Sequence, residues 1–169
     1  GAAVFSHLVP AALKILPKAL RSRISVTQQC RSEIIEQTRL AFDNCEVEVT
    51  LKSFFENVHE LIADAHLVIA RSGASTVNEV AIAGRPAIFV PYPYGADDHQ
   101  TENAKAIAKA GGGWWESQDT LTAAHLAERL EILLTDPETL SLAAASAKAF
   151  AVPDAAKRLA DEVEELAMK

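Results

Sequence analysis

Two short apolar runs, HLVIA (66–70) and PAIFVPY (86–92), most constrain the fold of this 169-residue chain. Each run is bounded by polar, Gly or Pro residues and is followed by a stretch with the helical spacing of apolar residues. Runs without a polar face are typical of strands that are covered on both sides, as in parallel sheets. Parallel strands need helical crossovers between them, so the chain is predicted to be α/β with helices on both faces of the sheet.

Strand and helix patterns alternate along the rest of the chain. Three further runs predict strands: RISVTQ (23–28), CEVEVT (45–50) and GWWES (113–117). Helices are predicted at 3–20 (with Pro10 and Pro17 as breaks or kinks), 31–42, 56–65, 75–84 (closed by Gly84), 100–111, 122–135, 138–150 and 154–168. A doubly wound fold normally begins with a strand and a glycine-containing turn, whereas this sequence begins with Gly-Ala-Ala and a helix. We therefore expect a Rossmann-like sheet without its first strand.

Composition excludes several classes of protein. The net charge is −7 and Lys and Arg form no block, which argues against a nucleic-acid partner. Apolar runs stay well below the ~20 residues that cross a bilayer. The two cysteines are too few for a disulfide framework or a zinc site. The adjacent Trp114 and Trp115 are interpreted as a short edge strand half covered by the C-terminal helices, rather than as a membrane contact.

The stretch RSGASTVNE (71–79) follows the first apolar run directly, where a strand gives way to a helix. In open α/β sheets, ligands bind outside the carboxyl ends of the strands, next to such helix N-termini. The backbone N–H groups of Ala74, Ser75 and Thr76 would be free there to bind an anion. Gly73 would let a phosphate approach the backbone closely, and the two hydroxyls would add donors.

Glu79 follows Thr76 by three residues and Ser75 by four, so all three share one helix face. A carboxylate at this place could accept hydrogen bonds from both hydroxyls of a ribose whose diphosphate occupies the loop. Thr76-x-x-Glu79 also matches a capping box, which needs no ligand. The spacing alone leaves both interpretations open.

A second polar cluster, within YPYGADDHQTENA (92–104), follows the second apolar run. It contains Asp97, Asp98, His99, Gln100 and Asn103. In one interpretation Asp97 or Asp98 caps the next helix and the others are solvated; a metal site from Asp97, Asp98 and His99 is a weak alternative. In the functional interpretation, Gln100 and His99 bind sugar hydroxyls, and the two strand exits together form a nucleotide-sugar site.

The segment 71–104 resembles the donor-binding signature of the MurG family, and residues 54–73 match the approach to that signature. These enzymes transfer GlcNAc from UDP-GlcNAc to lipid I (undecaprenyl-diphospho-muramoylpentapeptide), which forms lipid II for peptidoglycan. The resemblance covers nearly the whole chain and implies the C-terminal, donor-binding half of a GT-B glycosyltransferase. The sequence departs from the family pattern in the turn at residues 28–31.

The resemblance also implies roles for particular residues. The main chain at Phe55 would read the uracil edge, the loop before the helix would hold the diphosphate, Glu79 the ribose, and Gln100 with His99 the GlcNAc. The implied donor-binding set is Phe55, Ser72, Gly73, Ala74, Ser75, Thr76, Val77, Asn78, Glu79, His99 and Gln100. Neither a cofactor nor a metal is implied, and the general base is expected in an N-terminal domain that this sequence lacks, so no catalytic residue is named.

In this interpretation residues 1–150 form the UDP-GlcNAc domain, and 151–169 form a C-terminal helix that packs back towards the N-terminal domain. That domain would supply the lipid I site and the contact with the cytoplasmic face of the bacterial inner membrane, so the enzyme would be cytoplasmic and peripheral, and this part alone inactive. Two alternatives are a non-catalytic UDP-sugar-binding subunit of a two-component membrane glycosyltransferase and a GT-B-type UDP-GlcNAc 2-epimerase, for which Asp97 and Asp98 would be the only acid/base candidates. A dinucleotide-binding oxidoreductase is disfavoured because the sequence has no G-x-G-x-x-G.

Overall fold

A computed structural model describes residues 2–95 and 98–153 as a set of parallel strands connected by helices. The strands are β1 Ser25–Gln29, β2 Glu48–Lys52, β3 Val68–Ala70, β4 Ala87–Phe89 and β5 Gly113–Trp115. The helices are α1 Phe5–Ile15, α2 Lys18–Arg21, α3 Ile35–Phe42 (after a 3-10 turn, Ser32–Ile34), α4 Val58–Asp64, α5 Ala74–Ala83, α6 His99–Lys109, α7 Ala123–Thr135 and α8 Pro137–Phe150. Every predicted strand is present, and so is every predicted helix up to residue 150. The helix predicted at 154–168 lies outside the described residues.

The two prolines of the first predicted helix behave differently. Pro17 separates α1 from α2, as predicted, because it is the N-cap residue of α2. Pro10 lies inside α1, which continues through it to Ile15. A proline removes one backbone hydrogen bond from a helix, and here the loss is tolerated while Val9, Pro10 and Leu13 are buried. α1 is therefore not broken at Pro10, and the alternative of a kink there stays a prediction.

All strand pairs in the described residues are parallel, which confirms the predicted sheet type. β1 pairs with β2, with Ser25 opposite Glu48, and β4 lies between β3 and β5. β1 and β3 each pair on one side only within the described residues. In the strand order 3-2-1-4-5-6 of doubly wound folds, a strand that precedes β1 lies between these two edges. The gap supports the expectation of a missing first strand, which stays a prediction.

The core lies on both faces of the sheet, and β4 shows this most clearly. Ile88 and Val90 belong to a cluster with α1 and α7, whereas Ala87 and Phe89 belong to a second cluster with α5 and α6. All four side chains are completely buried. This alternation follows from the two-residue period of a strand, and burial of each large apolar side chain contributes roughly 1.5–3 kcal/mol. The doubly covered sheet fixes where the carboxyl ends of β3 and β4 lie.

Close packing also explains the edge strand β5. A Cβ atom added to Gly113 would lie 2.3 Å from the carbonyl oxygen of Ala87 on β4, so only glycine fits there. Trp114 packs partly into the core, and the ring of Trp115 lies 5.7 Å from the Lys105 ammonium and stays 38% exposed. The tryptophan pair is therefore an edge strand between helices, as predicted.

Candidate functional site

The loop from β3 to α5 forms an open helix N-terminus at the carboxyl edge of the sheet. Gly73 is the N-cap residue, and the first intrahelical hydrogen bond runs from Val77 N to Gly73 O at 3.0 Å. The amides of Ala74, Ser75 and Thr76 precede that bond, so they have no carbonyl partner within the helix. Ala74 and Ser75 are exposed. The partial positive charge of the helix end therefore faces an accessible surface, as an anion site requires.

Gly73 is not required by the backbone or by packing. Its φ of −58° and ψ of 148° are accessible to any residue. A Cβ atom built on Gly73 would meet no other atom within 4 Å. The space that glycine leaves here lies outside the protein, next to the free amides, where an anion would make its closest approach.

The capping-box interpretation of Thr76 and Glu79 was wrong. The helix begins at Ala74, so Thr76 is already its third residue, and the N-cap position is held by Gly73 with no side-chain hydrogen bond. Glu79 is exposed and Thr76 half-buried. Both polar groups therefore lie on the first turns of α5 beside the free amides, and the ribose interpretation of Glu79 stays a prediction.

Two other residues of the predicted set, Val77 and Asn78, lie within α5. Val77 is 5% exposed and packs in the core cluster with Phe89, and its amide is already bonded to Gly73 O. Asn78 is half-buried on the next position of the helix. Val77 therefore anchors the helix whose N-terminus forms the candidate site.

The second strand exit is tied directly to the first. The buried hydroxyl of Ser72 donates to the carbonyl oxygen of Gln100 at 2.7 Å, and Asn103 Nδ2 donates to the carbonyl oxygen of Ser72 at 3.0 Å. The loop before α5 and the first turn of α6 thus form one unit. Within the described part of the chain, the structure therefore brings Gln100 beside the loop that precedes α5, as the sequence predicted for the two strand exits.

The side chain of Gln100 is partly committed. Its Oε1 accepts a hydrogen bond from Tyr92 N at 3.0 Å, which holds the loop that follows β4. No hydrogen bond from its two N–H donors is seen among residues 2–95 and 98–153. His99 is the first residue of α6 and is exposed. Asp98 occupies the N-cap position of α6 without a side-chain cap hydrogen bond, so it does not play the capping role predicted for it, and Asp97 lies outside the described residues.

Phe55 follows β2, at the carboxyl end of the two-stranded sheet that β2 forms with β1. Its side chain is 7% exposed, and the Lys52 ammonium lies 5.5 Å from the centre of its ring. A buried ring fixes the backbone around it, so the main chain of Phe55 is held in place, as a hydrogen-bonding edge for a base would require. The neighbouring Phe54 is 68% exposed.

The sequence alone gave no role to Arg71, which directly follows β3. Its guanidinium donates to Val90 O at 3.0 Å, Pro91 O at 2.7 Å and Gln118 Oε1 at 2.5 Å. Burial lowers the pKa of Arg71, and the nearby Tyr92 raises it by a smaller amount. The only signal in the sequence was a cation directly after an apolar strand.

Two features are absent from residues 2–95 and 98–153. No helix there is long and apolar enough to cross a membrane. No group of three or more His, Cys, Asp or Glu side chains in these ranges could hold a metal ion.

Comparison with known proteins gives one family for nearly the whole chain. Residues 1–159 match the model of the glycosyltransferase family 28 C-terminal domain. The chain is 53% identical over 163 residues to the UDP-N-acetylglucosamine–N-acetylmuramyl-(pentapeptide) pyrophosphoryl-undecaprenol N-acetylglucosamine transferase of Paramagnetospirillum magneticum, and 54% identical over 165 residues to that of Granulibacter bethesdensis. These alignments cover 96% and 98% of the chain but 44% and 43% of the relatives. The chain thus spans less than half the length of these curated relatives.

Solved structures agree with the sequence matches. The chain superposes on MurG from Acinetobacter baumannii with a TM-score of 0.86 and 32% identity, over 98% of this chain and 47% of that one. A kitacinnamycin glycosyltransferase, at 17% identity and a TM-score of 0.63, shares the fold. The resemblance to MurG and the predicted α/β fold are both confirmed. The chain belongs to the glycosyltransferase family 28 C-terminal domain family.

Proposed function

We propose that this chain is the donor-binding part of an N-acetylglucosaminyltransferase that moves GlcNAc from UDP-GlcNAc to lipid I. The observation that carries the proposal is the open N-terminus of α5, where Gly73 leaves space beside the free amides of Ala74, Ser75 and Thr76. The relatives that are 53% and 54% identical to this chain over the aligned residues are named as transferases of this kind. Those names disfavour both the 2-epimerase and the non-catalytic subunit.

The proposed site assigns one part of the donor to each element. The α5 amides hold the diphosphate, Glu79 binds the ribose diol, the main chain at Phe55 binds the uracil, and Gln100 with His99 binds the sugar. The hydrogen bond from Ser72 to Gln100 supports a sugar pocket next to the proposed phosphate loop. Residues 1–150 are proposed as the donor domain, which a strand between β1 and β3 would complete. Residues 151–169 are proposed as a C-terminal helix that packs back towards an N-terminal domain.

The chemistry follows from the charge that develops during transfer. The C4 hydroxyl oxygen of the muramoyl sugar attacks the anomeric carbon of GlcNAc, and the bond from that carbon to the β-phosphate oxygen breaks. Its electron pair leaves with UDP, and the hydroxyl proton passes to a base outside this chain. Negative charge grows on the β-phosphate, and preorganised amides at a helix N-terminus stabilise such charge more in the transition state than in the ground state.

The lipid acceptor and the membrane contact are proposed to lie in the other half of a full-length enzyme, acting at the cytoplasmic face of the bacterial inner membrane. A net charge of −7 gives this chain no electrostatic attraction to anionic lipid. The membrane-bound acceptor would thus approach across the cleft between the two halves.

Calorimetric titration of the full-length enzyme with uridine, UMP and UDP tests the proposal. Affinity should rise steeply from UMP to UDP because the β-phosphate gains the α5 amides, and EDTA should not change it. Transfer should require UDP-GlcNAc and a lipid I analogue. Equal affinity for UMP and UDP would contradict the assignment of the β-phosphate to α5, and absence of transfer would contradict the proposed reaction.

A further inference from the structure

Arg71 connects three segments at the ligand-facing edge of the sheet. It directly follows β3, and its guanidinium donates hydrogen bonds to Val90 O and Pro91 O, which follow β4. A third hydrogen bond goes to the Gln118 side chain, in the segment after β5. One planar guanidinium thus spans the exits of three neighbouring strands.

Two aromatic rings hold the same guanidinium. Its central carbon lies 5.5 Å from the centre of the Phe5 ring and 5.4 Å from the centre of the Tyr92 ring. Phe5 is the first residue of α1. Arginine stacks on aromatic faces while its N–H groups stay free to donate in the plane. The contact with Phe5 adds a fourth segment, so Arg71 also connects α1 to the carboxyl edge.

Among residues 2–95 and 98–153, the hydrogen-bond partners of Arg71 are three neutral oxygens, two from the main chain and one from a side-chain amide. A partly buried cation is normally matched by a carboxylate, since burial without a counter-charge is unfavourable. Here Arg71 directly precedes Ser72 and Gly73, which lead into the free α5 amides.

We propose that Arg71 is a positioning residue for diphosphate binding, a role that rests on the proposed function of the α5 loop. Its rigid fork fixes the β3 exit against the β4 and β5 exits, and so sets the direction of the amides that begin α5. Lysine cannot replace it, because the three N–H donors of an ammonium diverge from one nitrogen and cannot reproduce the planar fork of a guanidinium.

The test compares uridine and UDP binding in full-length variants, because a general structural role would weaken both equally. Arg71→Lys and Arg71→Met should lower UDP affinity by about 10-fold or more while changing uridine affinity less than about 2-fold. Gln118→Leu removes one acceptor of the fork and should give a smaller loss, of about 2–5-fold, for UDP alone. Arg129→Lys is the matched control, since Arg129 is bonded to Glu116 at 3.0 Å, and it should change neither affinity.

The outcomes separate this inference from the proposed function. If the unmodified enzyme does not bind UDP, the proposed function is wrong. If it does bind UDP and Arg71→Lys binds as tightly, or if Arg71→Met weakens uridine and UDP by the same factor, positioning by Arg71 is wrong. Should the Arg71 variants fail to fold, Gln118→Leu decides alone, and unchanged UDP affinity in that variant overturns the proposal.

Discussion

The hydroxyl of Ser72 donates to the main-chain oxygen of Gln100 at 2.7 Å, across 28 positions of sequence. This bond joins the last turn before α5 to the first turn of α6, and Asn103 reinforces it through Ser72 O. The two loops proposed for phosphate and sugar therefore cannot move independently. Binding of a diphosphate at α5 would help to preorganise the sugar pocket at α6.

Replacing Gln100 should affect the sugar and not the nucleotide. Gln100→Ala in the full-length enzyme should lower kcat/KM for UDP-GlcNAc by about 10–100-fold, because a sugar hydroxyl loses its hydrogen-bond partner. Discrimination against the C4 epimer, UDP-GalNAc, should also relax. Steady-state kinetics with both donors measures both effects.

The UDP affinity of Gln100→Ala serves as the control. The substitution also leaves Tyr92 N without the acceptor Oε1, so a disturbed loop would be visible in UDP binding. We expect UDP affinity to stay unchanged. A loss for UDP as large as that for UDP-GlcNAc, or an intact donor preference, would show that residues 92–104 are not the sugar pocket.

Glu79 should act on the ribose. Glu79→Gln should weaken UDP binding by about 1–3 kcal/mol, because a carboxylate that accepts from two ribose hydroxyls makes stronger hydrogen bonds than an amide does. The melting temperature should stay nearly constant, since Glu79 takes no part in capping α5. Calorimetric titration with UDP and a thermal melt of the free enzyme give the two values.

Glu36→Gln is a suitable comparison for Glu79. Glu36 is an exposed helical carboxylate, 3.6 Å from Arg39 on α3. The Glu36→Gln enzyme should therefore bind UDP as tightly as the unmodified enzyme does. If Glu79→Gln lowers the melting temperature while UDP affinity is retained, the ribose assignment fails and Glu79 has a structural role.

Local patterns predicted the elements well, whereas the contacts of the site required the tertiary structure. HLVIA and PAIFVPY gave β3 and β4 because buried strands have a distinct apolar signature. The Thr76-x-x-Glu79 pattern allowed a capping box that does not form, because α5 already begins at Ala74, two residues before Thr76. The hydrogen bond from Arg71 to Gln118 joins residues 47 positions apart, and no local spacing reports such a pair.

The acid stability of α8 should depend on Asp136. Its side chain accepts from Thr139 Oγ1 at 2.7 Å and Thr139 N at 3.1 Å, and these hydrogen bonds lower the pKa of Asp136. Because the folded-state pKa is below the unfolded value of 3.8, the stabilisation is complete above that pH and disappears as the pH falls through the folded value. Asp136→Ala should lower the melting temperature by about 2–4 °C at pH 7, and the difference should shrink below pH 3.8.

Thr122→Ala provides a non-titrating control for Asp136. Thr122 Oγ1 caps α7 by accepting from His125 N at 3.2 Å, and a hydroxyl keeps this bond at every pH tested. Its loss should lower the melting temperature by the same amount at pH 7 and at pH 3. An Asp136→Ala difference that is equally constant with pH would contradict the charged cap.

Two glycines should respond oppositely to the same added methyl group. Gly73→Ala places a Cβ where no protein atom lies within 4 Å, at a backbone conformation that alanine adopts freely. The small cost of alanine at an N-cap is offset by the lower entropy of the unfolded chain, so the melting temperature should change little. The methyl group would, however, occupy the closest approach of a phosphate to the α5 amides. UDP affinity should therefore fall by about 10-fold or more while uridine affinity is retained.

Gly113→Ala instead forces a Cβ to within 2.3 Å of Ala87 O and should destabilise the sheet by about 1–3 kcal/mol. Thermal melts and titrations of both variants make the comparison. A Gly73→Ala enzyme that binds UDP normally would show that the space beside Gly73 is not the phosphate site.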